Sequence, residues 1–133
     1  MNKTINPTSL VVPSGYSHGV ESSGGRTIYL AGQVAFDRQG AIVGAGDIVK
    51  QFEQALSNLQ ETLRSGSAEM TDIVKLLILV KDKRMYQEHL KEIGAVYRNY
   101  FGKYFPAMSL VEVSALFEDG ALIEIEGIAV VND

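Results

Sequence analysis

Few side chains in this 133-residue sequence have the types and spacing of a catalytic group. There is no cysteine, which excludes thiolate chemistry and disulfides. The two histidines, His18 and His89, are too few and too far apart in sequence to predict a metal site. No Ser-His-Asp arrangement stands out, and the glycine-containing stretch 40–46 lacks the lysine of a phosphate loop. The sequence therefore predicts no metal site and no phosphate-binding loop.

Two carboxylates near the C-terminus are the remaining candidates for chemistry. Glu124 and Glu126 alternate with Ile123 and Ile125, so the two glutamates share one face of a predicted strand. A carboxylate in that position is either part of a site or a charge in solvent. The alternation alone favours the solvated charge.

The composition is that of an ordinary globular protein with room for one domain, over residues 1–133. Hydrophobic residues make up 46% and charged residues 21%, and a chain of this length can bury a core without disulfides or structural metal ions. The net charge of −4 argues against general nucleic-acid binding. The N-terminus lacks the apolar run of a signal peptide, and the longest apolar stretch, 76–80, is too short to span a bilayer. These features predict a cytoplasmic protein with no membrane partner.

The elements that would position these residues follow from periodicity and turns. Short strands at 10–12, 16–21 and 27–31, separated by glycine and proline turns, predict an antiparallel meander. Apolar residues at steps of three and four then predict a helix that begins at Asp47 as N-cap and ends at Gly66.

The second half of the chain predicts a buried strand, a helix and a hairpin. Residues 73–80 are almost all apolar, which is typical of an interior strand. Asp82 is a candidate N-cap for a second helix, and strands at 108–116 and 121–131 predict a β-hairpin.

The resulting order, β-β-β-α-β-α-β-β, predicts an α+β fold with a mixed sheet and two helices packed on one face. The other face keeps apolar residues that one chain cannot cover. Such a face is unusual in a monomer, so we expect self-association.

Five segments in this order and spacing resemble the RidA family, also called YjgF or endoribonuclease L-PSP. They lie at Tyr16 to Val20, Ala31 to Val34, Asp72 to Asp82, Phe105 to Val113 and Ile123 to Val130. The resemblance implies a chorismate-mutase-like fold with a six-stranded sheet and two helices, assembled as a homotrimer with three inter-subunit clefts. It also implies hydrolysis of enamines and imines to 2-oxo acids and ammonia, without a cofactor.

The resemblance carries specific residues onto this chain. Glu124 matches the cleft glutamate, which is thought to position the attacking water, and is the catalytic candidate. The candidates for binding a small-molecule ligand are Tyr16, Ala31, Gly32, Met108 and Leu110.

Met108 departs from the family pattern, because deaminases of the family carry an arginine there that grips the substrate carboxylate. Methionine donates no hydrogen bond. Losing a bidentate charged contact costs about 2–5 kcal/mol, which is about thirty-fold to several thousand-fold in affinity. Ala31 also replaces a serine, and Gly94 falls where deaminases often have asparagine.

Three functions remain open at this stage. The first is a trimer with weakened carboxylate-dependent deaminase activity that binds a less acidic molecule. The second is a non-catalytic ligand-binding trimer. The third is an active deaminase with another cation, for which Arg98, Lys103 or a neighbour's Arg26 are candidates. A ribonuclease is disfavoured, because the chain is acidic and has no basic patch with interleaved aromatic residues.

Overall fold

The structure is a computed structural model that describes residues 2–132. Its strands are β1 (Lys3–Ile5), β2 (Gly19–Glu21), β3 (Arg26–Gln33), β4 (Ile73–Val80), β5 (Ala107–Glu112) and β6 (Ile123–Val131). Its helices are α1 (Ile48–Ser65), α2 (Lys83–Glu88) and α3 (Leu90–Phe101), with a 3₁₀ turn (Met70–Asp72) before β4. The α+β class and the mixed sheet are confirmed.

The strands form two sheets rather than one. Four strands lie in the order β3-β6-β4-β5, with β4 and β5 parallel and the other two pairs antiparallel. β1 and β2 form a separate antiparallel pair. The predicted meander is therefore wrong, because β2 pairs with β1 while β3 pairs with β6 from the opposite end of the chain.

The predicted C-terminal hairpin is also wrong. Both strands exist, but β4 lies between them. The chain leaves β4, runs through α2 and α3 and returns as β5 parallel to β4, which is the ordinary geometry of a helical crossover. β6 then occupies the other side of β4.

Residues 10–12 are not a strand, although they are apolar. Val11 and Val12 are 72% and 86% exposed. The loop is held instead by His18, whose Nε2 lies 2.8 Å from the Val11 carbonyl oxygen. The predicted strand is wrong because, among residues 2–132, no strand pairs with this segment.

Helix α1 has the predicted bounds. The Asp47 carboxylate accepts hydrogen bonds from the backbone N–H groups of Val49 and Lys50, at 3.1 Å each, and Gly66 is the C-cap. Its apolar stripe is buried against the sheet, with Phe52, Leu56, Leu59 and Leu63 each at most 1% exposed.

The predicted second helix is two helices. Asp82 caps α2 as expected, but His89 leaves helical geometry and separates α2 from α3. The His89 Nδ1 lies 2.8 Å from the Met85 carbonyl oxygen, so the ring satisfies a group that the break frees. Within residues 2–132, no helix has both the length and the apolar character needed to cross a bilayer.

The two faces of the four-stranded sheet differ. The helices cover one face, where Leu76, Ile78, Ile123 and Ile125 are at most 3% exposed. We call the other side the open face. Most of its side chains are half-buried or exposed, and these include Tyr29, Leu77, Leu79, Val111, Glu124, Glu126 and Ile128. The predicted uncovered apolar face is present in the single chain.

Candidate functional site

Tyr16 is held against the start of β5 by its neighbour Ser17. The Ser17 backbone N–H donates to the Pro106 carbonyl at 3.1 Å, and its hydroxyl donates to the Phe105 carbonyl at 2.6 Å. These bonds tie the N-terminal loop to the segment that leads into Met108. The Tyr16 ring, half-buried, packs edge to face on His18 with centroids 5.3 Å apart.

Met108 and Leu110 face the helices. Along the parallel β4–β5 pair, Met108 is in register with Leu76 and Leu110 with Ile78. Paired residues on adjacent strands project to the same side of a sheet, and both of these β4 residues are buried under the helices. Met108 is half-buried and Leu110 is 38% exposed. This places both β5 side chains on the covered side, at the edge of the sheet.

Glu124 projects to the opposite side. It is in register with Leu79 on β4, and it lies between the buried residues Ile123 and Ile125. The half-buried Glu124 carboxylate has no hydrogen-bond or ion-pair partner among residues 2–132. It is therefore a charged acceptor on the open face that is available to water or a ligand.

A bulge in β3 makes room for this carboxylate. Leu30 pairs with Gly127 and Gln33 with Ile125, so Ala31 and Gly32 together oppose a single β6 residue. A Cβ at Gly32 would collide with the Glu124 carboxylate and would stand 2.9 Å from its Cδ. Glycine at position 32 is thus a steric requirement of the Glu124 rotamer.

The beginning of β6 is positioned by a buried amide. The Gln51 side chain donates to the carbonyls of Gly44 and Gly120 at 3.1 Å each, and accepts from the Leu122 N–H at 2.8 Å. The amide nitrogen donates twice and the amide oxygen accepts once, so neither polar atom of this buried side chain lacks a partner. Gln51 thereby anchors the strand two residues before Glu124.

The six predicted site residues therefore form two groups. Tyr16, Met108 and Leu110 line one pocket on the covered side, whereas Ala31, Gly32 and Glu124 lie together on the open face. The sheet separates the two groups within one chain.

The pocket beside Met108 has two adjoining parts that share six lining residues, Ser14, Gly15, Ile78, Tyr86, Leu90 and Met108. One part, of about 370 Å³, is lined by Tyr16 and Leu110. The other, of about 450 Å³, reaches under α3 to Phe52, Tyr97, Arg98 and Phe105. Both volumes are in the range of small-molecule sites.

One wall of the larger part is rigid. The Tyr97 ring stacks on Phe101 and on Phe105, with centroids 4.4 and 5.0 Å apart. Its hydroxyl donates to the Tyr104 carbonyl at 2.7 Å, and the Tyr104 hydroxyl donates to the Ile73 carbonyl at 2.5 Å. Stacking and hydrogen bonds therefore fix this wall before any ligand arrives.

Burial keeps the pocket tyrosines protonated. It raises the pKa of Tyr86 to about 12, and it also raises the pKa of Tyr97, with smaller contributions from Tyr104 and Tyr86. The Tyr86 hydroxyl has no hydrogen-bond partner among residues 2–132. At neutral pH Tyr86 is therefore a neutral donor among the residues that line the pocket.

The three candidate replacement cations differ in position. Arg98 lines the pocket with Met108. Lys103 is exposed in the turn after α3, outside the pocket lining. Arg26 donates to the carbonyls of Gly66 and Ser67, at 2.9 and 3.3 Å, beyond the far end of α1.

Tyr86 and the aromatic wall were not predicted as site residues. In the sequence, Tyr86 and Tyr97 belong to the apolar stripe of the second helix, which favours a core role. The signal that distinguishes Tyr86 from a purely apolar core residue is its hydroxyl, which can donate a hydrogen bond. Within residues 2–132, no group of three or more His, Cys, Asp or Glu side chains is arranged to hold a metal.

The fold and the divided site define a class of small α+β proteins whose sheet has one covered and one open face. The family model for endoribonuclease L-PSP matches residues 7–131. A mouse 2-iminobutanoate/2-iminopropanoate deaminase is 33% identical over 131 residues, which is 98% of this chain and 92% of the mouse protein. A RutC family protein of Pyrococcus horikoshii is 34% identical over 114 residues, 86% of this chain and 85% of its own.

A solved structure supports the same relationship. The Rid-family protein YyfB from Yersinia pestis, described as being of unknown function, superposes with a TM-score of 0.87. It is 37% identical, and the match covers 98% of each chain. The chain belongs to the RidA/YjgF family.

Proposed function

We propose that the protein is a trimeric, cofactor-independent hydrolase of enamines or imines, whose clefts form between subunits. The Glu124 carboxylate carries this proposal, because it is unpartnered among the described residues and lies over the Gly32 bulge. Relatives that are about one third identical to this chain are named 2-iminobutanoate/2-iminopropanoate deaminases, which adds support.

The opposite placement of Met108 and Glu124 supports a site built by two chains. A small ligand cannot touch both residues across the sheet of one subunit. If the open face of one subunit meets the β5 edge of the next, Glu124 of one chain and Met108 of the other line a single cleft. The exposed apolar side chains Tyr29 and Val111 would be covered in the same contact.

The proposed reaction is hydrolysis of a carbon–nitrogen double bond. Water attacks the imine carbon, and the Glu124 carboxylate passes one water proton to the nitrogen, which gives a carbinolamine. The same carboxylate then passes the hydroxyl proton to the nitrogen, the C=O bond forms as the C–N bond breaks, and ammonia leaves. The carboxylate acts as a general base and then as an acid, so it ends unchanged.

Met108 sets the selectivity in this proposal. Because methionine cannot hold a carboxylate, small 2-imino acids bind weakly, and apolar contacts beside Met108 contribute more to binding. The alternative that Met108 favours is a trimer that binds an apolar small molecule without hydrolysing it.

The test is release of ammonia and oxo acid from freshly generated 2-aminoacrylate and from bulkier imino acids. We expect slow turnover of 2-aminoacrylate by the wild type and a gain of about thirty-fold or more in Met108→Arg, since a bidentate contact is restored. Met108→Leu keeps the volume without the charge and should gain nothing. Glu124→Gln should remove the activity of both proteins.

Three results would contradict the proposal. Fast turnover of 2-aminoacrylate by the wild type would show that Met108 does not limit carboxylate binding. Full activity of Glu124→Gln would remove the glutamate from the mechanism. Absence of turnover for every substrate, even in Met108→Arg, would favour the binding protein.

A further inference from the structure

The larger part of the pocket beside Met108 contains one charged group and an apolar body. Its lining includes four aromatic rings, those of Phe52, Tyr86, Tyr97 and Phe105. Arg98 is the single charged residue of that lining among residues 2–132, and no acidic side chain of the described chain contributes to it. The pocket therefore complements an anion attached to an apolar group.

Arg98 is available to such an anion. Its guanidinium has no ion-pair or hydrogen-bond partner among the described residues. It follows Gly94 by one helical turn, so the two positions share a face of α3. The Arg98 Nη1 stands 3.5 Å from where a Gly94 Cβ would be, so a side chain larger than alanine at 94 would crowd the guanidinium.

A second donor points to the same kind of ligand. Tyr86 lines the pocket, and its hydroxyl has no partner among residues 2–132 and remains protonated at neutral pH. A carboxylate accepts several hydrogen bonds, so one carboxylate can accept a hydrogen bond from the Tyr86 hydroxyl and pair with Arg98.

We propose that Arg98 and Tyr86 bind the carboxylate of a ligand whose bulky apolar group packs on the aromatic wall of this pocket. The inference deepens the proposed function, on which its relevance to catalysis rests, by naming the substrate class: imino acids with a large apolar or aromatic side chain. Arg98 replaces the missing arginine in charge but stands on α3 rather than on β5. This shift in position accommodates longer acids.

Binding is tested without turnover, with 3-phenylpropanoate as the probe and the full chain in its natural assembly. Two comparison ligands separate the contributions of the charge and of the ring to binding. 3-Phenylpropanamide has the shape without the charge, and propanoate has the charge without the ring. Dissociation constants would be measured by calorimetry and by NMR shift perturbation. We expect 3-phenylpropanoate to bind more tightly than either.

The variants are Arg98→Gln, Tyr86→Phe and, as a matched control, Lys103→Gln, which removes the same charge outside the pocket. Arg98→Gln should weaken 3-phenylpropanoate by about tenfold, the lower end for a hydrogen bond to a charged group, and abolish the preference over the amide. Tyr86→Phe should weaken it a few-fold, and Lys103→Gln should leave the preference intact.

The proposal is overturned if Arg98→Gln keeps the preference, if Lys103→Gln loses it equally, or if 3-phenylpropanoate does not bind. Its failure is distinguishable from failure of the proposed hydrolysis. Binding with the expected Arg98 dependence but no turnover of any imine would support this binding site and contradict the proposed hydrolysis. Turnover of imines with no effect of Arg98→Gln on binding would support the hydrolysis and contradict this site.

Discussion

The two faces of the four-stranded sheet come from the same strands and the same alternation, yet the chain's own helices cover only one of them. On the covered face, Ile123 and Ile125 are fully buried under the helices. On the open face, Tyr29 is 77% exposed and Val111 is 43% exposed. The unpartnered carboxylate of Glu124 is also on that side.

The difference indicates a division of roles. The covered face supplies the free energy that folds one chain, because close-packed apolar burial is the dominant favourable term. The open face contributes little to that core, and its residues remain available for assembly and chemistry.

The largest expected effect is loss of assembly in Leu79→Asp. The new charge would stand beside Glu124 on the open face, so two carboxylates would be desolvated together if that face were covered. We expect the particle mass to fall from a multiple of 14.5 kDa to 14.5 kDa, with the far-ultraviolet circular dichroism retained. Light scattering after gel filtration measures the mass. Leu79→Met should still assemble, and a wild type that is already a single chain would refute the assembly proposal.

On the covered face, Leu59→Ala should destabilise the chain itself by about 2–5 kcal/mol, because it leaves a cavity under α1. Leu59 is fully buried. Urea unfolding would be measured in the Leu79→Asp background, so that assembly does not add to the free energy of unfolding. The matched control is Val111→Ala on the open face, for which we expect under about 1 kcal/mol. Equal losses would contradict the division between the faces.

The smallest effect is a pH dependence confined to the covered side. Burial raises the pKa of both Tyr86 and Tyr104 to about 12, with Asp72 adding to the rise for Tyr104. Between pH 10 and 12 the unfolded chain releases protons that the folded chain retains. The free energy of unfolding should therefore decrease as pH rises through this window.

Tyrosinate absorbance of the folded chain, followed with urea unfolding across the same window, measures this effect. Tyr86→Phe should remove part of the slope, whereas Tyr29→Phe on the open face is the control. A free energy of unfolding that rises through this window would contradict the prediction.

Local features of the fold were predictable because their causes are local. Asp47 and Gly66 bound α1 because a carboxylate satisfies the first N–H groups and a glycine ends the helix cheaply. The alternation from Ile123 to Glu126 placed the glutamates opposite the core, as the structure has them. The order of short segments was sufficient to predict the family.

Pairing was not predictable from the same patterns. β5 and β6 read as a hairpin because a turn separates two apolar runs, but the crossover through α2 and α3 brings β5 alongside β4 first. Strand partners are chosen by the whole sheet, and a turn motif describes only the residues within it. His89 likewise interrupts the second helix at a point that the apolar periodicity does not mark.

The sequence by itself determined which residues differ from the family pattern, above all Met108 and Ala31, and that the chain leaves apolar surface uncovered. Only the tertiary structure decided that Met108 and Glu124 project to opposite faces, and that Arg98 rather than Lys103 lines the pocket with Met108. The physical reason is that residue type and periodicity are properties of a segment. The side of a sheet on which two distant side chains meet depends on strand register and on the path of the helices between them.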